Sequence, residues 1–503
     1  MIANASNILD ERGNPYQRMA SQGDLEVAQR HSREWMTKYR ELSARFDSAQ
    51  TTSENMNHWA NADNLSPAQA ANPAVRQKLR SRARYELQEN NSFGKGIVST
   101  LANDTIGIGP KIQIRKHKSV ERSINRWMKK ARIGSKLRMM MENTPVAGEI
   151  FGLATTNSKI DHRVKLDLKL LEADFCTSPD LMQPDVNRID GVHFDSEGNP
   201  SHYDFLKHHP GGMTGFGASL KPEKISADYV IHFFREDRPG QGRGLPWVTP
   251  ALPLFAMLRR YTLAVIAAAE TAAQFAGVMY TDSNAIDDID EGSPFDEIEL
   301  SMRSMLTLPA GWKLGQLKAE QPTTTYQMFR DAILNEIARC LNMPFNKAAG
   351  NSSGYNYASG RLDHQTYYEF IDVLRDEVEG IILERLFGWW LDEAALVGIV
   401  GQINLAEELD FSFLWPRREH IDPYKQAAAN EKLWNIGLIT DEQIIMENGH
   451  DPEEHYESLA REVEERKKLN LPLPGGSTLS EALTHDFTEE TEDEPSKQEP
   501  AHA

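Results

Sequence analysis

Cysteine is nearly absent from this chain of 503 residues, which contains only Cys176 and Cys340. The two lie far apart and show no spacing that would hold a metal ion, so the sequence excludes a disulfide framework and a cysteine-based metal centre. Each is expected to be a small, buried, apolar side chain in a reducing compartment. The histidine pairs His208/His209 and His450/His455 also lack helical metal-ligand spacing, and we expect them to be solvent-exposed.

Signatures of an enzyme are missing as well. The chain has no GxxxxGK[ST] phosphate loop, and no serine, histidine and aspartate have a spacing that would support a catalytic triad. Four carboxylates cluster in one segment but miss the spacing of a calcium loop, which favours a solvated acidic turn. These carboxylates are Asp287, Asp288, Asp290 and Glu291. We therefore expect no catalytic activity, no metal and no cofactor.

Positive charge is in deficit, with 55 lysines and arginines against 74 aspartates and glutamates and a net charge of -19. This balance argues against a protein that wraps nucleic acid with its general surface. The N-terminal sequence MIANASNILDERGNP lacks the basic and apolar regions of a secretory signal. The apolar run at 261–280 contains Glu270 and Gln274, so we expect a packed helix and no association with a membrane.

Periodicity and turn residues predict a mainly helical α+β protein. A strand-rich part is expected over 148–234, and a strand pair around Met305–Leu317. The chain beyond Pro472 is rich in glycine, proline and then acid, a composition typical of disorder. Helices are expected at about Asp24–Phe46, Asn72–Asn90, Ser119–Met141, Thr249–Tyr280, from Tyr326, at Leu362–Leu396 and over Asp422–Leu469.

The most informative stretch is Tyr326–Arg361, in which an amphipathic helix leads into a polar, glycine-rich loop and a second helix. Pro344 ends the first helix, and three glycines free the backbone that follows, namely Gly350, Gly354 and Gly360. Polar side chains with glycines among them can contact phosphates without base specificity. These side chains are Asn346, Lys347, Asn351, Ser352, Ser353, Tyr355 and Asn356. The alternative is an ordinary, glycine-rich connection between helices.

This helix, loop and helix resemble the tunnel-loop region of tailed-phage portal proteins of the lambda type. Other segments resemble that family in its order, so the similarity covers about 76–469. They are RARYELQENNSFGKGIVSTLANDTIGIGPKIQ (82–113), GEIF (148–151), LLEAD (170–174), IDGVHFDSEGNPSHY (189–203), HFFREDRPGQGRGLPWVTPAL (232–252) and the C-terminal run from FLWPRREHIDPYKQ to REVEERKKL (413–469).

The resemblance implies a portal fold with wing, stem, clip and crown domains, which forms a ring of about twelve copies. The expected boundaries follow the chain. They are a polar N-terminal arm (1–65), a wing (66–248), a stem helix (249–280), a clip (281–322), a second stem helix (323–342), a tunnel loop (343–360), a long helix returning to the wing (361–420), a helical crown (421–470) and an acidic tail (471–503).

The resemblance also implies a function and partners. The ring would be assembled in the host cytoplasm and would occupy one vertex of the virion capsid, where double-stranded DNA passes through it during packaging and ejection. The tunnel loop would face DNA, and the acidic residues Asp287–Glu291 of the clip would dock the large terminase subunit. Major capsid and scaffold proteins, and a head-completion or tail adaptor protein, are the other expected partners.

The predicted helix Ser119–Met141 is strongly basic, with lysines and arginines recurring every three or four residues. In a ring of acidic subunits we favour a contact between subunits or with the capsid, and DNA contact is the minority alternative. The basic residues are Arg122, Arg126, Lys129, Lys130, Arg132, Lys136 and Arg138.

Two other function classes remain open at this point. One is a ring-forming head–tail adaptor or minor capsid protein without a DNA-gripping loop. The other is a terminase subunit, which the missing phosphate loop disfavours.

Overall fold

The computed structural model describes residues 53, 56–115, 117–178, 187–212, 221–274, 278–281, 312–315, 323–354, 356–400, 409–417, 423–469 and 471. Contacts divide the chain into two units, Met1–Ser66 and Pro67–Ala503. The described part of the first unit consists of exposed turns and irregular segments. The helices and strands given below belong to the second unit. The helix expected at Asp24–Phe46 and the acidic tail lie outside the described residues.

Helices and one short strand open the second unit. Asn72 caps α2 by accepting a hydrogen bond from the Val75 amide, and Asn91 caps α3 in the same way. The elements are α1 (Pro67–Ala70), α2 (Pro73–Arg84, followed by π-helical Tyr85–Asn90), α3 (Ser92–Thr105), β1 (Lys111–Ile114), α4 (Lys118–Lys130) and α5 (Ile133–Ala147). The helix expected at Asn72–Asn90 is therefore confirmed.

The prediction of one basic helix over Ser119–Met141 is wrong, because the chain forms two helices there. Arg132 separates α4 from α5 in the left-handed region, at φ 56°. This turn brings Gly134 close to the backbone of Ile108. A Cβ added to Gly134 would lie 2.3 Å from the carbonyl oxygen of Ile108. The basic spacing hides this break because the helical pattern resumes immediately after it.

Two antiparallel sheets confirm the strand-rich part. A three-stranded sheet has the order β3-β2-β8, and a four-stranded sheet has the order β4-β5-β6-β7. Phe151 in the central strand β2 pairs with Leu171 and with His232. The strands are β2 (Glu149–Thr156), β3 (Leu166–Glu172), β4 (Arg188–Ile189), β5 (Val192–Phe194), β6 (Pro200–Phe205), β7 (Glu223–Ser226) and β8 (Val230–Phe234).

Two long helices flank a hairpin. The first, α6 (Leu252–Gln274), leads into β9 (Val278–Thr281), and β10 (Trp312–Gly315) precedes α7 (Thr323–Arg339). Among the described residues, β10 pairs with β9. The strand pair expected around Met305–Leu317 is therefore corrected, because one strand lies before the acidic segment and the other lies after it. The helices α6 and α7 pack through Tyr261, which stacks on Tyr326 at 5.7 Å and contacts Phe329.

The remaining elements complete the unit. The helix expected at Leu362–Leu396 is confirmed and starts earlier. A strand late in the chain pairs antiparallel with β1, with Lys111 opposite Leu414. The elements are α8 (Phe345–Ala349), α9 (Tyr357–Val378, followed by π-helical Glu379–Leu383), α10 (Glu384–Leu396), β11 (Phe411–Leu414), α11 (Pro423–Asn435), α12 (Asp441–Glu447) and α13 (Pro452–Lys468).

The main core lies between the first helices and α9–α10. Trp127 and Trp390 are both fully buried there, with ring centroids 6.4 Å apart. A smaller core fills the space between the two sheets around Phe151, Tyr203 and Phe205. No residue of α11 or α12 is buried. The C-terminal helices therefore contribute little to the core of a single chain.

Candidate functional site

The connection between α7 and α9 contains a short helix where the sequence predicts a loop. Asn342 adopts φ 49° after α7 ends, and Pro344 then occupies the N-cap position of α8. Gly350 ends α8 in the left-handed conformation, at φ 63°, which glycine adopts without strain. The expectation that Pro344 ends the first helix is corrected, because α7 already ends at Arg339 and Pro344 precedes α8 as its N-cap.

Lys347 is held by other residues of the same chain. Its ammonium nitrogen lies 2.6 Å from a carboxylate oxygen of Asp104 on α3. The same carboxylate oxygen accepts a hydrogen bond from the Tyr367 hydroxyl at 2.9 Å, and the ammonium lies 5.3 Å from the centre of the Tyr367 ring. The guanidinium of Arg375 donates to the backbone oxygens of Asp104 and Thr105. Lys347 thus anchors α8 to α3 and α9.

Three other predicted residues also have partners, either in the connection or in α9. The side-chain amide of Asn346 lies 3.1 Å from a ring nitrogen of His364. Asn351 accepts a hydrogen bond from the Ser353 amide, and Asn356 caps α9 by accepting from the Ser359 amide. Burial lowers the pKa of His364, and the nearby Lys347 lowers it further. The local polar groups therefore shape the turn.

Ser352, Ser353 and Gly354 form an exposed turn, and Gly350 and Asn356 on either side of it are exposed as well. Gly360 is buried at the start of α9. Tyr355 lies outside the described residues, as do the four acidic residues Asp287, Asp288, Asp290 and Glu291. The structure thus brings the predicted loop residues together, with two serines at the surface and Lys347 turned towards Asp104.

A buried charge network, which sequence reasoning missed, connects α2 to both sheets. Glu149, at 0% exposure, accepts from Arg243 at 2.6 Å and 2.9 Å, and Arg76 lies 3.4 Å from it. Asp190 forms an ion pair with Arg76, and the His232 ring lies 3.1 Å from Glu149. Charges removed from water in this way are tolerated only when they are paired.

The network sets the protonation states of its members. Burial raises the pKa of Glu149, but Arg243, His232 and Arg76 together hold it well below its ordinary value. Burial lowers the pKa of His232 by more than its hydrogen bond with Glu149 raises it. The network therefore contains an ionised carboxylate and a neutral imidazole at neutral pH.

Two glycines allow the backbones around the network to touch. An added Cβ on Gly244 would lie 2.1 Å from the carbonyl oxygen of Gly148, and the amide of Gly244 donates to Glu149 at 2.9 Å. The scattered segments GEIF, IDGVHF and HFFREDRPGQGRGLPW therefore meet at one buried point. An acid at the start of an apolar strand and an arginine between glycines were the signals in the sequence.

A second charged cluster explains the LLEAD segment. Asp174 forms ion pairs with Arg80 and Arg84 of α2, and Glu172 pairs with Arg84 at 2.9 Å. His209 lies 3.4 Å from Glu172 and is half-buried, which corrects the expectation that it is solvent-exposed. Glu172, Asp174 and His209 could together approach a metal ion, but the two arginines already neutralise the carboxylates.

Cys176 is buried, as expected, and burial raises the pKa of its thiol to about 11. Cys340 is only half-buried, which corrects the expectation that it is buried, and burial raises its pKa as well. Both thiols are therefore protonated at neutral pH and unreactive.

Comparison with known proteins places these features in a family. A curated relative, the "Probable portal protein" of Halomonas phage phiHAP-1, is 24% identical over 497 residues, which cover 90% of this chain and 93% of the relative. A chain of a native gene transfer agent virion is 13% identical, with a TM-score of 0.46 over 74% of this chain and 94% of that one. A chain from the neck of that particle, computed with C12 symmetry, is 14% identical with a TM-score of 0.46, over 76% and 95%. At these scores the structural likeness supports no statement about assembly.

The model of the family described as "Phage portal protein, lambda family" matches residues 52–375. That match spans more than half of the sequence and includes the charge network and the connection between α7 and α9. The family is structural and not enzymatic, which confirms the expectation that this protein is not an enzyme. The chain belongs to the lambda family of phage portal proteins.

Proposed function

We propose that the protein forms a closed ring of about twelve copies at one vertex of the capsid, through which double-stranded DNA is packaged and ejected. The observation that carries this proposal is the apolar surface of α6 and α7. Leu263 is 57% exposed and Met328 is 73% exposed in the single chain. Met257 and Ile266 on α6 and Phe329 on α7 are exposed as well, as are several apolar residues of α11–α13, and neighbouring copies in a ring would cover such surfaces.

One helix of the described chain, Thr249–Glu270, is long and apolar enough to cross a membrane, and little of it is buried. Its contacts support a packed helix instead. The hydroxyl of Thr262 lies 3.1 Å from that of Tyr326, and Arg259 lies over the Tyr85 ring. In the proposed ring, α6 and α7 are the stem, and their free sides pack against adjacent subunits.

The other domains keep their proposed boundaries within the portal. The first helices and both sheets form the wing (66–248), the segment 281–322, which includes β10, forms the clip, and α11–α13 form the crown (421–470). An acidic channel wall offers few stable ion pairs to phosphates, so the duplex can slide. The proposed partners are the large terminase subunit, capsid and scaffold proteins, and a head-completion or tail adaptor.

Native mass spectrometry with negative-stain microscopy tests the ring directly. We expect about a dozen subunits around an axial hole of roughly 20 Å or more, the width that a B-form duplex requires. A monomer or dimer across a range of salt and protein concentration would contradict the proposal. Nucleotide hydrolysis by the purified chain would revive the terminase alternative.

The turn at Ser352–Gly354 is the part of the proposed tunnel loop that is free to meet DNA. Weak contacts repeated around the ring could hold a duplex together while each remains easily broken. Deletion of 350–354 is expected to leave heads assembled and to impair packaging or retention of DNA. A head–tail adaptor with this deletion would still give DNA-filled heads.

The proposed DNA contact of Lys347 can be separated from its role as an anchor. Lys347→Met removes the ammonium, whereas Asp104→Asn leaves it but weakens its internal partner. If Lys347 contacts phosphate, only the first variant loses packaged DNA, and the second retains it. Equal loss in both variants would assign Lys347 to the anchor alone.

The clip proposal has its own test. Reversal of charge at Asp287, Asp288 and Asp290 is expected to weaken binding of the large terminase subunit while rings stay intact. Unchanged binding of terminase to intact rings would remove this assignment.

A further inference from the structure

A cleft beside α4 presents positive charge that the proposed portal function does not use. The cleft has a volume of about 700 Å³ and lies between α4, β1 and the start of α13. Five exposed basic side chains line it. They are Lys111, Arg122, Arg126, Lys129 and Arg132.

These five cations have no counterion within the described parts of the chain, since none of their side chains forms a hydrogen bond or ion pair there. Other basic residues nearby do have partners, because Lys130 pairs with Asp161 and Lys136 with Asp167. Arg122, Arg126 and Lys129 follow one another at four and three residues on one face of α4. Like charges at this spacing repel, so an anion bound between them would stabilise the helix.

The acids that line the cleft do not neutralise these cations. Glu121 and Asp451 both pair with Lys118, at 3.2 Å and 2.6 Å. Burial raises the pKa of Glu121, although Lys118 and the Ile114 amide lower it. Glu454 is the remaining acid in the lining and is exposed. Positive charge therefore dominates the open part of the cleft.

The walls of the cleft are rigid and partly apolar. The side chain of Asn125 accepts from the Ile112 amide at 3.0 Å and donates to its carbonyl oxygen at 2.7 Å, which fixes α4 against β1. Ile108 on the rim is 84% exposed, and Met128 also contributes to the lining. A volume of about 700 Å³ suits an extended peptide, whereas a rigid duplex roughly 20 Å wide would touch only the rim.

The C-terminal part of the same chain contains a negatively charged segment that complements the positive charge of the cleft. Six of the nine residues in 486–494, DFTEETEDE, are acidic, and Phe487 lies among them. The helix α13 begins at the cleft and spans about 25 Å at 1.5 Å per residue. The residues between Leu471 and Asp486 can extend over roughly 45 Å, which exceeds that distance. The acidic segment can therefore return to the cleft, at an effective concentration on the order of millimolar.

We propose that the basic cleft of α4 binds the acidic segment 486–494 of the same chain. The carboxylates pair with the cations on α4, and Phe487 packs against the apolar rim. Occupation of the cleft by this segment keeps other polyanions, including DNA, away from this face of the protein.

A labelled peptide of residues 484–497 tests the proposal by competition. In a full-length variant whose six acids in 486–494 are changed to Gln or Asn, the cleft is open. We expect the peptide to bind this variant at least tenfold more tightly than the unmodified chain, because the native segment competes in the latter. Arg126→Glu with Lys129→Glu, added to the variant, is expected to weaken peptide binding at least tenfold.

The matched control reverses two exposed cations elsewhere, Lys78→Glu with Arg82→Glu on α2, and is expected to leave peptide binding unchanged. Carbodiimide crosslinking of the unmodified chain supplies a second measurement, since it joins amines to carboxylates in direct contact. Mass spectrometry is expected to find Lys129 or Lys111 joined to 486–494, and Lys78 unjoined.

Three results would overturn the proposal. They are equal peptide affinity for the unmodified chain and the acid-free variant, unchanged peptide affinity after reversal of Arg126 and Lys129, and binding of a single-stranded DNA to the cleft of the unmodified chain without competition from the peptide. The last result would make nucleic acid the occupant. None of these measurements depends on formation of a ring.

Discussion

Two ion-paired regions of this protein bring distant segments together, but in different surroundings. Around Glu149 the charged groups are almost completely buried and bind one another at several points. At the connection between α7 and α9, Lys347 and Asp104 are 21% and 25% exposed. Burial makes the first region intolerant of an unpaired charge, whereas water can solvate the partners in the second. Loss of a charged partner is therefore expected to destabilise the first region much more than the second.

Removal of the Glu149 carboxylate is expected to give the largest effect and tests this difference between the two regions. Glu149→Gln leaves the buried Arg243 without its main counterion and removes the second, more distant partner of Arg76, so we expect the free energy of unfolding to fall by about 3–5 kcal/mol. Urea titration measures this change, and the yield of soluble protein reports it if the variant fails to fold. The control is Glu172→Gln, which removes a half-exposed partner of Arg84 and is expected to cost about 1 kcal/mol or less. Equal losses in the two variants would contradict the comparison.

The next largest loss of stability is expected where the backbone of Gly244 touches that of Gly148, beside the Glu149 network. Gly244→Ala places a methyl group against the Gly148 carbonyl, which we expect to destabilise the fold by about 1–3 kcal/mol. Gly354→Ala at the exposed turn meets nothing within 4 Å and is the matched control. Thermal unfolding of both variants measures the difference. A harmless substitution at Gly244 would show that the network region can relax.

His232 and Glu149 are expected to lose their contributions to stability in different pH ranges. The pKa of His232 is lower in the folded state, so the unfolded chain binds more protons just below pH 6.5. Stability is therefore fully present above about pH 6.5 and falls as the pH is lowered, with a slope of at most about 1.4 kcal/mol per pH unit from this residue. The contribution of Glu149, whose pKa is depressed, is lost only at pH values below about 4.5.

His232→Gln keeps a donor for Glu149 but cannot be protonated. We expect its stability to depend less on pH between 5 and 7 than that of the parent. Urea titrations across this range measure the slope. His162 and His364 also have lowered pKa values and supply the slope that remains in the variant. Identical slopes in parent and variant would exclude His232 as a source of acid sensitivity.

The smallest effect is expected at Lys347. Because this ion pair is partly exposed, Lys347→Met is expected to cost at most about 1 kcal/mol. A double-mutant cycle with Asp104→Asn isolates the energy of the pair. A coupling energy as large as the loss at Glu149 would show that the connection is part of the rigid fold.

The helices and strands were largely predictable because their periodic patterns are local. The strand-rich part, the two helices α6 and α7 and the long helix ending at Leu396 were all expected, but the helix expected at Thr249–Tyr280 ends at Gln274, and residues 278–280 belong to the strand β9. The break at Arg132 was missed because basic residues continue through it at helical spacing. The partner of β10 was also missed, since the pairing joins strands on either side of a long segment.

The candidate site was less predictable for the same physical reason. The polar, glycine-rich character of residues 344–360 was evident, and Pro344 and Gly350 shape the backbone there. The pairing of Lys347 with Asp104 depends on packing between segments more than 200 residues apart. The network around Glu149 likewise gathers groups from α2, both sheets and the Gly244 turn. Spacing within one segment carries no information about such convergence.

The pairing of β1 with β11 has a consequence for synthesis of the chain. These strands lie about 300 residues apart, and closing a loop of that length costs roughly 5 kcal/mol of entropy. On the ribosome, α4 can pack against β1 soon after synthesis, through the hydrogen bonds of Asn125 with Ile112, but the strand partner of β1 is missing until residues 411–414 have emerged. In a chain truncated before β11, the edge of β1 that pairs with β11 has no partner strand. Such chains are expected to aggregate before they can join an assembly.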